Sequence, residues 1–361
     1  MKFSSTVIAL GALNSVWALP TEYPEDSCDA TPEPECPSVS GDILINQYQL
    51  YPENLFYDSS SCKLILGALY NASVYIYDLA TSTSQTITFP NITLDPKLHI
   101  SGVRISPVTS LLSVIIDAGA AFDTQGSDIS GSNFLIQYDL STSTETSRLN
   151  LTETTQGLYG GYQDLEFDSR GNIYVVGTYP SSILKVDPSG EEKVEVWYLP
   201  NAGALDHTVK GLGGLAVVGD VLLANDNVSG ELLRFDLTAP SGSPTVVPHN
   251  ALGNLTINDQ GDGIHLPQKY NGRVLLIAQN TVGLSVLRSG DGWETAEFLG
   301  VIPMPASVGN GVVTAAVQIG ESVYANIEYF FDTPVAPPNS AGNRTVFPLI
   351  DVTAALDALL V

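Results

Sequence analysis

The sequence predicts an all-β protein, a six-bladed β-propeller with four strands in each blade, and a repeated strand pattern is the main reason. Four segments end alike in an aspartate, and these aspartates are separated by 61, 48 and 49 residues. Each repeat also contains short apolar runs bounded by Gly, Asn and Asp, as strands and hairpins do. Helical periodicity is nearly absent. The four segments are residues 74–79, 134–140, 183–188 and 232–237.

A period near 50 residues is typical of propeller blades. The first spacing is longer because residues 121–131, rich in Gly, Ser and Asp, form a predicted loop insertion. We expect residues 42–49 to supply a strand that completes the last blade and closes the ring, which removes exposed sheet edges. The six predicted blades are residues 48–92, 98–152, 160–200, 209–249, 260–303 and 311–350.

The N-terminus has the pattern of a signal peptide over residues 1–18. Lys2 is followed by an apolar stretch at residues 7–13, and Val16 and Ala18 are small residues at a cleavage site. We expect a proline-rich segment at 19–41 and a single propeller domain at 42–361. No later apolar run approaches the roughly 20 residues of a transmembrane helix, and residues 354–361 are too short for an anchor signal. The expected location is the secretory pathway or the extracellular space, without a membrane anchor.

Six N-x-S/T sequons follow the signal peptide, and none has proline at its middle position. They agree with a secreted glycoprotein, and we expect each to mark a surface loop or a strand end. The sequon asparagines are Asn71, Asn91, Asn150, Asn227, Asn254 and Asn343.

Three cysteines remain for an oxidising compartment, so one disulfide is expected with one cysteine left over. Cys28 and Cys36 are the local pair. A bond from either of them to Cys62 would instead tether the proline-rich segment to the first blade. The sequence leaves these pairings open.

The net charge of −25 argues against nucleic acid and anionic membranes as partners, because both require a cationic surface. Only 15% of the residues are charged and 44% are hydrophobic. Such a chain buries a large core and stays soluble through its acidic residues and glycans. No preference for an oligomeric state emerges.

A candidate site is predicted where the inner strands begin and the second strands end, because these positions meet at one mouth of a propeller channel. The alignment places carboxylates and amides there from five or six blades, with tyrosines nearby. Converging carboxylates must bind a cation, hold raised pKa values or stand far apart. The alternative is that Asp and Asn terminate strands and turns. The aligned side chains include Glu53, Tyr70, Asp117, Tyr162, Gln163, Asp164, Tyr179, Asn225, Asp226, Asp262, Gln279, Asn326 and Glu328.

His265 lies three residues after Asp262 on the same predicted inner strand. It faces either the channel or the interface between blades. A hydrogen-bonded structural histidine is the simpler interpretation.

Residues 163–177 (QDLEFDSRGNIYVVG) and 261–266 (GDGIHL) resemble the gluconolactonase and senescence-marker-protein superfamily. Its members are six-bladed propellers, and many bind one divalent ion such as Ca²⁺ through Glu, Asn and Asp at the channel mouth. By position, Glu53 matches the glutamate and Asp262 the aspartate. Gly213 and Gln163 stand where the asparagine is expected. The resemblance implies a metal-dependent lactonase or hydrolase as one alternative.

Nearly the whole mature chain is also similar to secreted-type propellers of fungal secondary-metabolite clusters. These include the trichothecene-cluster propeller protein and the hetero-Diels–Alderases of tropolonic sesquiterpenoid pathways. The resemblance implies an enzyme whose partner is a hydrophobic small-molecule substrate, and which catalyses cyclisation or cycloaddition of such terpenoid-like intermediates without a redox cofactor. Holding two reactive groups together supplies much of such catalysis, and a carboxylic acid can assist loss of water.

On this hypothesis Asp164, Asp262 and Glu328 act as acid or base. The amides of Gln163, Asn225 and Gln279 orient carbonyl oxygens, and Tyr70 or Tyr179 stacks on flat ligands. Asp226 and Asn326 complete the predicted substrate-binding set. A non-catalytic secreted binding protein is the remaining alternative.

Overall fold

The computed structural model describes residues 36–188, 193–200, 205–250, 257–258 and 260–361. The predicted signal peptide, Cys28 and Asn254 lie outside these residues. The described strands form six four-stranded antiparallel sheets, which confirms the predicted six-bladed, all-β propeller. In the first five blades the four strands follow one another from the inner to the outer strand, so consecutive strands are always neighbours.

The first three blades contain strands β2 to β13. Blade 1 has β2 (Pro52–Asp58), β3 (Lys63–Ala68), β4 (Ser73–Asp78) and β5 (Thr83–Ile87). Blade 2 has β6 (Leu98–Ile105), β7 (Leu112–Ala118), β8 (Phe134–Asp139) and β9 (Thr144–Asn150). Blade 3 has β10 (Gly160–Phe167), β11 (Ile173–Tyr179), β12 (Ser182–Val186) and β13 (Val194–Tyr198).

The other three blades contain β14 to β24 and the N-terminal strand. Blade 4 has β14 (Leu212–Val218), β15 (Val221–Asp226), β16 (Glu231–Asp236) and β17 (Thr245–Val246). Blade 5 has β18 (Gly261–His265), β19 (Val274–Gln279), β20 (Gly283–Arg288) and β21 (Glu297–Ile302). Blade 6 has β22 (Val312–Ile319), β23 (Ser322–Glu328), β24 (Val346–Asp351) and β1 (Ile43–Asn46).

Strand β1 closes the ring as predicted. It pairs antiparallel with β24, with Ile43 opposite Leu349 and Ile45 opposite Phe347. Ile45 and Phe347 are both buried, so the closure is also a packing contact. The first and last parts of the propeller therefore share one sheet, which leaves no inner gap between blades 6 and 1.

The helices are few and short: α1 (Ala120–Asp123), α2 (Leu151–Thr154), α3 (Thr353–Leu359), and 3-10 turns at Gln268–Tyr270 and Ala306–Val308. The insertion predicted as a loop thus begins with one helical turn. At the C-terminus, α3 buries Leu356 against the core of blades 5 and 6. No helix among the described residues is long and apolar enough to cross a membrane.

The blades pack face to face, so their middle strands are apolar on both sides. All seven residues of β7 are buried, and so are all six of β19.

Cys36 and Cys62 form a disulfide, which settles the pairing for the described cysteines and fixes the chain before β1 to blade 1.

Every inner strand carries a register shift against the second strand near its beginning. A β-bulge bends a strand and changes the direction of its side chains, and bulges are common beside functional sites. The repeated shift explains why positions near the start of each inner strand can turn toward the channel axis. The shifts fall between Pro52 and Leu55, Ile100 and Val103, Tyr162 and Asp164, Leu212 and Leu215, Gly261 and Ile264, and Val313 and Ala315.

Candidate functional site

The channel has two chemically different ends. The upper end of the channel is the end where the inner strands begin and the second strands finish. The sequence predicts the site at this end. The lower end is where the inner strands finish and turn into the second strands. Both ends contain carboxylates, but their surroundings differ.

The upper end contains a group of buried carboxyl side chains: Glu53, Asp117, Asp164, Asp262 and Glu328. Burial raises the pKa of Glu53 well above its usual value, and the negative charges of Asp262 and Asp164 raise it further. Burial also raises the pKa of Glu328 strongly and that of Asp262 and Asp117. The acids therefore lie close enough for their charges to interact, and burial shifts the pKa of each toward the protonated form.

Several of these carboxyl oxygens have no hydrogen-bond partner among the described residues. Both oxygens of Glu328, Oε2 of Glu53 and Oδ2 of Asp117 are buried and unpaired. The other oxygen of Asp117 accepts a hydrogen bond from the Ser101 hydroxyl. Asp262 Oδ2 accepts from Asn280 Nδ2 at 2.8 Å. A buried carboxylate without donors is costly, so protonation is the cheaper state here.

The predicted amides mainly tie neighbouring blades together. Gln163 Nε2 donates to the Gly213 carbonyl at 2.9 Å, and Asn225 Nδ2 donates to the Asp262 carbonyl at 3.1 Å. Asn326 Nδ2 donates to the carbonyls of Pro52 and Glu53.

The remaining two predicted polar residues act within their own blades. Gln279 bonds Ser285 within blade 5. Asp226 caps a turn by accepting from the Val228 N–H at 3.1 Å and from Ser229. These contacts stabilise the fold, and their proposed role in substrate binding stays a prediction.

The predicted tyrosines are covered by protein. Tyr70 packs edge to face on Tyr51 and His99, and Tyr179 does the same against Phe122 of the blade 2 insertion. Tyr162 belongs to the core between blades 2 and 3.

Residues 329–345 cover the other side of the upper end, where Asn339 Nδ2 donates to the Tyr70 carbonyl at 3.0 Å. Inserted segments of blades 2 and 6 therefore lie against the tyrosines at this end.

A cavity of about 430 Å³ occupies the lower part of the channel. It opens between the strand-to-strand turns near Ser59, Gln268 and Gly320. Of the predicted catalytic residues only Asp164 lines it, at its inner end. Its apolar walls include Leu55, Phe56, Tyr57, Phe167, Ala216, Val217, Ile264, Leu266, Ala316 and Val317.

A small polar set lies among these apolar walls. Arg104 forms an ion pair with Glu166, and its guanidinium lies over the Phe56 ring at 5.5 Å from the centroid. Burial raises the pKa of Glu166 to about 7, although Arg104 opposes the shift. Burial likewise raises the pKa of Asp164 to about 6. Asp164 accepts hydrogen bonds from Asn54 Nδ2 at 3.0 Å and from the Leu215 N–H at 2.9 Å.

His265 also lines the cavity. Its Nε2 is buried and has no hydrogen-bond partner in the described part of the chain, which differs from the hydrogen-bonded structural histidine that the sequence suggests. Burial lowers the pKa of His265 to about 3, and the positive charge of Arg104 adds to the effect. The ring is therefore neutral near pH 7.

Glu166 and Arg104 were missed as site residues, although a local signal exists. Glu166 follows Asp164 by two residues on β10, and alternate residues of a strand point to the same side. Arg104 likewise follows Gly102 by two residues on β6, and Gly102 is one of the positions near the beginning of that inner strand. The sequence contains this alternation, but the ion pair joins blades 2 and 3 and depends on their packing.

The residues at the upper end do not fit a divalent ion of the gluconolactonase type. Gly213 has no side chain to offer, and a Cβ at that position would lie 2.8 Å from Asn225 Nδ2. The donor group of Asn225 thus occupies the space of a ligand. Within the described ranges, no three His, Cys, Asp or Glu side chains are grouped as metal ligands. The assignment of Glu53 and Asp262 as metal ligands lacks its third partner.

No family model matches the chain. Solved structures share its fold. The major allergen Mala s 1 of Malassezia sympodialis has a TM-score of 0.72 at 18% identity, over 87% of this chain and 96% of its own. A putative gluconolactonase has a TM-score of 0.55 at 13% identity, over 88% of this chain and 93% of its own. These likenesses support the predicted gluconolactonase-like propeller fold.

Two curated relatives are similar over most of their length. Trichothecene biosynthesis protein 14 of Trichoderma arundinaceum is 36% identical over 344 residues, which cover 90% of this chain and 92% of the relative. Core trichothecene cluster protein 14 of Fusarium sporotrichioides is 32% identical over 353 residues, which cover 90% of this chain and 88% of the relative. On these similarities, the chain belongs to the trichothecene cluster protein 14 family, a group of fungal proteins with a gluconolactonase-like six-bladed propeller.

Proposed function

We propose that the protein acts in fungal secondary metabolism, by binding a hydrophobic, terpenoid-like intermediate in the lower cavity and promoting its cyclisation or cycloaddition. Both curated relatives are named for trichothecene biosynthesis, which supports the metabolic setting. The observation that carries the proposal is the cavity itself. It places two carboxyl groups with raised pKa values against apolar walls.

The lining of the cavity is mixed, with somewhat more polar than apolar surface, and it suits a small ligand that combines an apolar skeleton with several oxygen atoms. Its volume of about 430 Å³ falls within the roughly 300–1,000 Å³ typical of small-molecule sites. Phe56, Phe167 and Ile264 supply apolar surface, which accounts for affinity. The partly exposed Arg104 guanidinium can bind a hydroxyl or carbonyl oxygen, which fixes the orientation of the ligand.

The two carboxyl groups differ in their hydrogen-bond partners. Asp164 accepts from Asn54 Nδ2 and from the Leu215 N–H, which suits a carboxylate base, so we assign it as the proton acceptor. We assign Glu166, whose pKa burial raises to about 7, as the proton donor in its protonated form. Glu166 protonates a hydroxyl group of the ligand, the C–O bond breaks, and its electron pair leaves with the oxygen as water. The π electrons of the alkene then form a bond to the cationic carbon, and Asp164 takes up a proton from the carbon next to the new cationic centre, which leaves a ring double bond.

Positioning supplies the rest of the rate. The cavity walls hold the electron-poor centre and the alkene of one ligand in contact, so ring closure loses little further entropy. Asp262 and Glu328, predicted as catalytic, lie at the covered upper end. We propose no proton transfer for them.

The test begins with the compound that accumulates when the gene is deleted in the producing fungus. The purified full-length protein is incubated with this compound, and product formation is followed by mass spectrometry. We expect Glu166→Gln to lower turnover about a hundredfold, in the range of general acid catalysis. The matched control Glu321→Gln changes an exposed glutamate outside the cavity and should leave turnover unchanged.

Three outcomes decide between the alternatives. Full turnover by Glu166→Gln would contradict the acid assignment. Saturable binding of the compound without any product would favour the non-catalytic binding protein. Loss of turnover with a chelator and its recovery with Ca²⁺ would favour the metal-dependent hydrolase, whereas our proposal expects activity to be indifferent to the chelator.

A further inference from the structure

The described sequons all lie on one face of the propeller. In a four-stranded antiparallel blade, the turn between the second and third strands is on the same face as the connection to the next blade. Asn71, Asn227 and Asn343 lie in turns of the first kind, between β3 and β4, β15 and β16, and β23 and β24. Asn91 lies in a connection of the second kind, and Asn150 is the last residue of β9, directly before such a connection. The cavity opens on the opposite face, where none of these five sequons lies.

The five asparagines differ in how their amide groups are used. Asn91 and Asn343 are exposed, and their side chains make no hydrogen bond to a described residue. Asn227 is half-buried and fully bonded. Its Nδ2 donates to the carbonyls of Gly211 at 2.9 Å and Gly261 at 3.1 Å, and its Oδ1 accepts from the Gly261 N–H at 2.7 Å.

The bonds of Asn227 connect two blades. Asn227 follows β15 of blade 4, and Gly261 begins the inner strand β18 of blade 5. N-linked modification replaces one of the two hydrogens on Nδ2, so a glycan would remove one of these bonds. It would also have to fit beside the two backbone segments that the amide now contacts.

We propose that Asn91 and Asn343 carry N-linked glycans and that Asn227 stays unmodified in the folded protein. The donor is a lipid-linked oligosaccharide diphosphate, met along the predicted secretory route. In the transfer, C1 of the first sugar bonds to the asparagine Nδ2, and its bond to the phosphate oxygen breaks. The lipid diphosphate leaves with that electron pair, and Nδ2 gives up one proton. The sugars stand on the upper face and leave the cavity opening bare.

The test uses the full-length chain expressed in a yeast host, with both secreted and membrane-bound fractions collected. Peptide-N-glycosidase treatment in H₂¹⁸O converts each occupied asparagine to labelled aspartate, and mass spectrometry gives the occupancy of each site. We expect more than half occupancy at Asn91 and Asn343 and less than a tenth at Asn227. Bare Asn91 and Asn343, or an occupied Asn227 in folded protein, would overturn the proposal.

Variants check the same assignment without depending on peptide recovery. Asn91→Gln combined with Asn343→Gln should remove two glycans. In gel electrophoresis the double variant should run faster than wild type, by the shift that enzymatic removal of these two glycans gives. Ser229→Ala destroys the sequon of Asn227 but keeps the Asn227 amide and its contacts between the blades. It should leave the mobility unchanged, and a loss of mass in this variant would contradict an unmodified Asn227.

Discussion

The upper and lower ends of the channel contain the same kinds of side chain in opposite circumstances. At the upper end, Glu53 and Glu328 are buried, and Oε2 of Glu53 and both oxygens of Glu328 have no hydrogen-bond donor among the described residues. At the lower end, Glu166 faces a cavity and is paired with Arg104. The inner strands alone therefore do not decide where a ligand binds. The loops that cover one end leave the other available.

The largest expected effect is on the free energy of unfolding, and it comes from the disulfide beside the lower opening. The disulfide joins Cys36, at the cavity, to Cys62 across a separation of 26 residues. Replacing both cysteines by serine should lower the free energy of unfolding by about 3 kcal/mol, because the unfolded chain regains the freedom of that loop. Urea unfolding of wild type and double variant measures the difference. A loss below about 0.5 kcal/mol would show that packing alone holds this segment.

The next effect distinguishes the acids of the upper end. Burial raises the pKa of Glu328, so the folded protein binds a proton there more tightly than the unfolded chain does. This contribution to stability is complete below the unfolded pKa of about 4.3 and is lost as pH rises through the folded pKa. Glu328→Gln needs no proton and should therefore be more stable than wild type at pH 8, with a smaller difference at pH 4.

Thermal and urea unfolding at the two pH values measure this difference. The exposed Glu321→Gln serves as the matched control and should follow wild type at both. If Glu328→Gln is instead less stable than wild type at pH 8, the Glu328 carboxylate has a favourable partner at the upper end. The two ends of the channel would then not differ in how their carboxyl groups are paired.

A smaller effect tests the cover over the upper end. Phe122 packs against Tyr179 with ring centroids 5.6 Å apart and is half-buried. Phe122→Ala should cost about 1–2 kcal/mol, less than a fully buried phenylalanine, and should leave ligand binding at the lower end unchanged. Differential scanning calorimetry and a binding titration of the same variant measure both. Weaker binding after this change would connect the covered end to the ligand.

The sequence predicts the ring because its signals are local. Strand alternation, turn residues and the repeat each depend on neighbours in the chain, and so does the strand β1 that completes blade 6. The gathering of Glu53, Asp164 and Asp262 was predicted for the same reason, since their positions recur in each blade.

The closure of the upper end could not be predicted in this way. It results from the packing of Phe122 on Tyr179 and of residues 329–345 on Tyr70, contacts between blades that no repeat encodes. The Arg104–Glu166 pair was missed for a related reason. Each partner follows the alternation of its own strand, but their meeting depends on how blades 2 and 3 pack.

The central claim is that the lower cavity binds the ligand, and a titration with farnesol, a sesquiterpene alcohol, tests it most directly. Ala316→Phe fills part of the cavity, whereas Tyr179→Phe removes only a hydroxyl group at the upper end. With both variants shown to be folded by circular dichroism, we expect Ala316→Phe to weaken binding at least tenfold and Tyr179→Phe to change it less than twofold. Undiminished binding by Ala316→Phe together with a loss in Tyr179→Phe would contradict the account and return the site to the upper end.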